Sequence, residues 1–206
     1  MTSEVLRFDP ARRTNAAMLA DVARLGLINE GMLTLDATWG RGAWWSGWRP
    51  DRLIGSDLAP AKARDLCADF TELPFRTSTF DLVCFDPPYG YRGTSRLAMD
   101  EGYGLAESYV SPDDRDGLIG LGIIEAARVT APGGMLIVKV QDQCVSGSPR
   151  MQSHTATAIA VSVGCRLRSV LEVAGGVRKQ RSQRTARNNT SQALVFAAPR
   201  RKKASR

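Results

Sequence analysis

Four aspartates stand at or just past the ends of short apolar runs. Asp36 closes LTLD, Asp57 closes RLIGSD, Asp69 follows DLCA and Asp86 follows FDLVCF. An ionised carboxylate is an acceptor only, so each can take protons from hydroxyl, amine or backbone N–H groups. Any one of them could be a helix cap or turn former. Four in succession point to one shared site. Gly40 and Gly42 follow Asp36 in DATWGRGA. Glycine there lets the backbone turn sharply and approach a ligand closely. Asp57 comes about twenty residues after the first apolar run, the offset at which an acid accepts from ribose hydroxyls in nucleotide-binding sheets. No Gly-Lys-Ser/Thr follows the glycines, which argues against a nucleoside-triphosphatase loop.

The most specific stretch is FDPPYG, residues 85–90. Asp86 and the carbonyl of Pro87 can both accept hydrogen bonds from one NH2 group. That orients the nitrogen and favours positive charge developing on it. Pro87 and Pro88 stiffen the backbone that carries these acceptors. Tyr89 can stack on a planar base, worth roughly 1–3 kcal/mol. The stretch resembles the Asp-Pro-Pro-Tyr motif of enzymes that methylate exocyclic amines of bases, and that resemblance implies the positioning of a weakly nucleophilic aromatic amine for in-line attack, with no His, Cys or Ser nucleophile required. His154, the only histidine, reads as structural. Trp39, Trp44, Trp45 and Trp48 crowd the glycine loop. They read as a local hydrophobic cluster, with Trp39 and Trp44 as candidate pocket walls. Lys139 and Gln141 in KVQDQ also end a strand and lie within reach of the substrate side.

Several elements must position these groups. NAAMLADVARLGL has helical spacing, with Thr14 or Asn15 as N-cap. MLTLDAT, DRLIGSD, ARDLCADF and FDLVCFD read as four strands. PDDRDGLIGLGIIEAARVT is an amphipathic helix ended by APGG, and MLIVKVQD is a fifth strand. MQSHTATAIAVSVG reads as a helix, then RLRSVLEVA and SQALVFAA as two strands. Alternating strands and helices predict a seven-stranded, mostly parallel sheet with helices on both faces. The last two strands, joined by a basic loop, predict an antiparallel hairpin at one edge. Ligands in such sheets bind at the carboxyl ends of strands, where the four aspartates fall. Residues 90–112 form a long connection bearing Tyr91, Tyr103 and Tyr109. It is a candidate lid over a base flipped out of its stack.

The chain resembles the class I S-adenosylmethionine-dependent methyltransferases of the Asp-Pro-Pro-Tyr type, which act on exocyclic amines of bases. DATWGRGA has the spacing of that family's glycine loop, with Ala37 and Thr38 where Pro and Phe are common. FDPPYGYRGTS and LIVKVQDQ are similar to small methyltransferases of actinobacteria and their phages. The resemblance covers residues 14–197. It implies a single Rossmann-like domain over residues 14–198, an N-terminal arm at 1–13 and a basic, disordered tail at 199–206. It implies S-adenosyl-L-methionine as cofactor. Asp36 and the backbone of Gly40 and Gly42 would meet its methionine end, with Thr38 and Trp39 among the cofactor-binding residues. Asp57 would take the ribose, Asp69 the adenine amine, and Leu58 and Phe70 the adenine ring. Asp86, Pro87, Pro88 and Tyr89 would be catalytic.

Charge adds a partner. The chain carries +7 over 206 residues. Arg178, Lys179, Arg181, Arg184 and Arg187 lie in a tract with Gln, Ser and Thr but no acid, which suggests contact with nucleic acid. No run of about 18 apolar residues or signal-like N-terminus occurs, so a cytoplasmic protein with no membrane partner is expected. Cys67, Cys84, Cys144 and Cys165 lack metal-ligand spacing, so no metal is expected and the thiols are read as reduced and mostly buried. The favoured reaction is methylation of a base amine, adenine N6 in DNA first. Methylation of an RNA base, at guanine N2 or adenine N6, and a catalytically idle nucleic-acid-binding module are the alternatives. Protein-glutamine methyltransferases carry Asn where this chain has Asp86.

Overall fold

The computed structural model describes residues 14–88, 111–145, 147–174 and 190–200. Its centre is β4 (Phe80–Phe85) beside β1 (Leu33–Asp36) and β5 (Thr130–Val140). These strands are apolar on both faces because both faces are covered. Leu82, Cys84, Met135 and Ile137 point to one core with Met18, Leu19 and Val22 of α1 (Asn15–Arg24). Val83, Phe85, Leu136 and Val138 point to the other, with Ile119 and Ile123 of α2 (Pro112–Val129) and Ala156 and Ala160 of α3 (Gln152–Ser162).

With β2 (Arg52–Asp57), β3 (Leu66–Cys67), β8 (Arg166–Ala174) and β9 (Thr190–Ala197), the sheet has seven strands in the order β3-β2-β1-β4-β5-β9-β8. The strands from β3 to β5 pair in parallel, and β9 runs antiparallel between β5 and β8. The predicted mostly parallel sheet with an edge hairpin is therefore present. A small ribbon, β6 (Gln143–Val145) with β7 (Ser148–Arg150), was not anticipated.

Three departures have local causes. The crossovers from β1 to β4 contain no α-helix. They are short and interrupted by Gly40, Gly42, Gly47, Pro50, Pro60 and Pro74. Tryptophans do the covering instead. Trp44 and Trp45, in a 3-10 turn at Ala43–Ser46, are buried in the α1-side core, and Trp39 and Trp48 pack beside them. An indole buries roughly 150–250 Å2, enough to replace part of a helix face. Secondly, APGG does not separate α2 from β5. Thr130 already pairs with Phe80, and the glycines lie in an irregularity before Met135 pairs with Leu82. Thirdly, Cys67 is exposed and Cys144 half-buried, so only Cys84 and Cys165 are buried thiols.

Caps and staples hold the helices. Thr14 caps α1 by accepting from Ala17 N. Ser111 and Asp114 form a reciprocal capping box on α2. The first turn of α3 is capped from a distance. Asp142 accepts from Ser153 N at 2.9 Å and from Ser153 Oγ at 2.8 Å. Arg128 ties the helix-free β3–β4 crossover to α2. It donates to Glu125, to the Phe75 carbonyl at 2.9 Å and to the Leu73 carbonyl at 3.1 Å. Among the described residues no helix is long and apolar enough to cross a membrane.

Candidate active site at the carboxyl ends of the central strands

The chain leaves β1 toward β2 and β3 on one side and places β4 and β5 on the other. The order therefore reverses between β1 and β4, and a crevice is expected at their carboxyl ends. Asp36 is the last residue of β1, and Asp86 follows β4 directly. Thr38 ties the two strand ends. Its N–H donates to Asp36 Oδ1 at 3.0 Å, and its hydroxyl accepts from Asp86 N at 2.8 Å. Thr38 is thus a bridge between two acids, a role its position in the glycine loop did not suggest.

Asp86 sits among donors from three other elements. Trp44 Nε1 donates to Oδ2 at 3.1 Å, and Asn15 Nδ2 from the start of α1 does so at 3.4 Å. Lys139 Nζ lies 3.3 Å from Oδ2 and 3.4 Å from Oδ1. The pair is largely buried, with 15% of the Asp86 side chain and 8% of the Lys139 side chain exposed. An ion pair so placed depends on both partners, because removing one leaves a charge in a poorly solvated place. Pro87 is buried. The Pro88 carbonyl accepts from Arg115 of α2 at 2.6 Å, which fixes the backbone just past Asp86.

Asp36 is buried and accepts from Trp45 Nε1 at 2.7 Å. Burial pushes its carboxyl up to about 7, against the lowering hydrogen bonds of Trp45 and Thr38, with the charges of Asp86 and Asp57 adding to the rise. Burial also pushes the neighbouring Cys84 thiol well up, helped by Asp36 and Asp86, which removes it as a nucleophile. Asp57 organises the glycine loop. Its Oδ2 accepts from Gly40 N at 2.8 Å and its Oδ1 from Ala59 N at 3.0 Å. Gly40 and Gly42 have φ of 56° and 64°, where a side chain would be strained.

The remaining expected residues divide. Leu58 is 51% exposed beside Asp57, an apolar side chain at the rim. Asp69 lies in the turn after β3, exposed, accepting from Thr71 N and Oγ1 at 2.8 and 2.7 Å. Phe70 is buried, its ring centroid 5.1 Å from that of Phe85, so its ring is a core element and Leu58 is the apolar group left facing outward. Trp39 lies against Gly55 and Gly42, with the Arg64 guanidinium 5.1 Å from its ring centroid. That contact shapes the loop from behind. Tyr89, the lid tyrosines and Arg178, Lys179, Arg181, Arg184 and Arg187 lie outside the described residues.

Sequence reasoning did not point to Asn15, Trp45 or Arg115, and left Lys139 as a bare candidate. Lys139 had a signal. It continues the Met135–Ile137 face of β5, and a lysine on a buried face implies a carboxylate opposite.

No protein-family model matches the chain, and no curated protein does either. Solved structures do. TrmN from Thermus thermophilus aligns with a TM-score of 0.55 and 17% identity over 89% of this chain and 48% of its own. This chain thus spans about half the length of TrmN. The N-methyltransferase NodS from Bradyrhizobium japonicum aligns at 0.53 with 13% identity, over 88% of this chain and 94% of its own. The fold is that of the class I methyltransferases. The [4+2]-cyclase SpnF shares it at a TM-score of 0.57 and 13% identity, over 90% of this chain and 81% of its own. Fold alone therefore does not choose the reaction, and the site must.

Proposed function

We propose that this chain is an S-adenosylmethionine-dependent methyltransferase that methylates an exocyclic amine of a nucleic-acid base, with adenine N6 in DNA as the leading target. The observation that carries the reading is the placement of Asp86-Pro87-Pro88 at the carboxyl end of β4, beside Asp36 at the order reversal.

The donor set fits the cofactor. Gly40 and Gly42 turn the loop through positive φ, and Gly42 has no side chain where the Trp39 ring packs, so backbone is what the loop presents at the strand ends. Asp57 is a buried acid held by the loop's own N–H, with lone pairs left for ribose hydroxyls. Leu58 offers exposed apolar surface to the adenine, and Asp69 an exposed carboxylate to its amine. Asp36 would face the methionine end. When bound, the cofactor supplies a methyl group on a good sulfonium leaving group.

The protein's own task is to present the amine. Trp44 and Asn15 hold Asp86 Oδ2 in place, and Oδ1 is met only by Lys139 at 3.4 Å among the described residues. Oδ1 is the acceptor we assign to the substrate NH2, with the Pro87 carbonyl as the second. Lys139, 3.4 Å from Oδ1, leaves that oxygen room for the amine. Such preorganised acceptors favour the charge that develops on nitrogen.

The test is Asp86→Ala and Asp86→Asn, with cofactor affinity by calorimetry and turnover on unmethylated DNA. Turnover should fall by 100-fold or more, in the range of about 10²–10⁴ for lost acid–base positioning, with cofactor affinity nearly unchanged. Equal loss of both would assign Asp86 to cofactor binding and sink the proposed role.

A further inference from the structure

The amino-terminal end of the sheet, opposite the aspartates, carries a second concavity. A cleft of about 510 Å3 is lined by Gly26 after α1, Gly133 and Met135 of β5, Arg166 and Arg168 of β8, and Arg200 past β9, among others. No lining residue is acidic. The three arginines are exposed and enter no ion pair among the described residues. By contrast Arg24, Arg64, Arg128 and Arg150 each meet a carboxylate. Gathering three like charges without a local counter-charge disfavours the free protein and favours an anionic ligand.

The backbone builds this arrangement. A bulge between Leu167 and Ser169 adds a residue to β8, and Arg166 pairs opposite Ala197 at its start. Arg200 lies over Gly133, its Cγ 3.7 Å from where a Cβ would stand. The guanidinium fork matches phosphate oxygens. Arg200 is followed in sequence by RKKASR, four further cations, so the positive run continues along the sequence. An extended polyanion fits that pattern better than a single small phosphate.

We propose that this cleft binds the phosphate backbone of a nucleic acid. It is a second anchoring point, six residues of β5 from Lys139, or about 20 Å. The inference rests on the base-methylation reading only for the choice of polymer. A substrate held at both places would be positioned without base contacts, since phosphate contacts orient but do not read sequence.

The experiment is fluorescence anisotropy of labelled duplex and single-stranded oligonucleotides with the full-length protein, between about 50 and 200 mM salt. The variant is Arg166→Gln/Arg168→Gln/Arg200→Gln, with the three Arg→Lys changes as a charge-keeping control. Circular dichroism and cofactor affinity check its folding. Each lost duplex phosphate contact lowers the slope of log K against log salt by about 0.9, so the Gln variant should be shallower by about 2–3 and bind at least tenfold more weakly at low salt. The Lys variant should keep most of the slope. A wild-type slope in the Gln variant would overturn the proposal. Inorganic pyrophosphate is titrated in parallel. Pyrophosphate binding lost in the variant while oligonucleotide binding is unchanged would assign the cleft to a small phosphorylated ligand, and would also overturn it. Binding needs no turnover, so an absent methyl transfer with an arginine-dependent slope would sink the enzymatic reading alone.

Discussion

Asp36 gives the account a quantitative handle that needs no substrate. It is 4% exposed, and burial lifts its carboxyl from an ordinary 3.8 to about 7. A raised folded value means the native state holds a proton that the unfolded chain has released. The stabilisation is complete below about pH 4 and is lost as pH rises to about 7. Three units at about 1.36 kcal/mol each give a loss on the order of 4 kcal/mol, or about 1.4 kcal/mol per pH unit in the window. Asp36→Asn cannot ionise and should lack this dependence. Its amide also turns an N–H donor toward Trp45 Nε1–H, a penalty that does not vary with pH. The assay is urea unfolding of both proteins across about pH 5–8, taking the difference in stability at each pH. Groups common to both cancel. The difference should move in favour of Asn by about 1.4 kcal/mol per unit and flatten above about pH 7. A difference that stays constant across the range would refute the raised carboxyl and the dry environment inferred for the strand end.

Other predictions follow from packing and bonding. Gly122→Ala places a methyl on the Phe85 ring and 2.8 Å from Phe70 Cδ2, so it should lose about 1–3 kcal/mol by chemical denaturation. Gly117→Ala, in the same helix with nothing within 4 Å, should gain about 0.5–1 kcal/mol. Equal effects at the two positions would contradict the packing described. Thr38→Val removes the acceptor for Asp86 N at 2.8 Å, and should cost about 1–3 kcal/mol and reduce turnover more than cofactor affinity. Arg128→Met should cost about 2–4 kcal/mol and speed hydrogen exchange in residues 73–77, because both crossover carbonyls and Glu125 lose their donor.

What sequence could and could not show follows from range. Strands β1, β2, β4, β8 and β9 were legible because their apolar runs are continuous or alternate and end in acids or turn residues. The edge hairpin was legible because the sequence between its strands is basic and polar, with no apolar periodicity to predict a helix. The helix-free crossovers were harder. Fifteen residues with three glycines and four tryptophans, positions 37–51, have no periodicity that says which face they cover. The placement of Asp36, Asp57 and Asp86 at strand ends was readable from position alone. Their partners were not. Asn15 and Lys139 reach Asp86 from 71 and 53 residues away in sequence, and Arg115 reaches Pro88 from 27. Such contacts are fixed by strand order, which pattern does not encode. Phe70 shows the opposite failure: an aromatic beside a strand-end acid looks like a ring-stacking residue, but Gly122 opposite leaves room for it in the core.

The central claim is that Asp86 presents a base amine for methylation. The most direct test incubates the protein with methyl-labelled S-adenosylmethionine and separate pools of unmodified DNA and RNA, followed by digestion and mass spectrometry of nucleosides. The account predicts label on an exocyclic amine, N6 of adenine in the DNA pool first, and none with Asp86→Ala. Label on carbon, oxygen or a ring nitrogen, or undiminished label with Asp86→Ala, would contradict it.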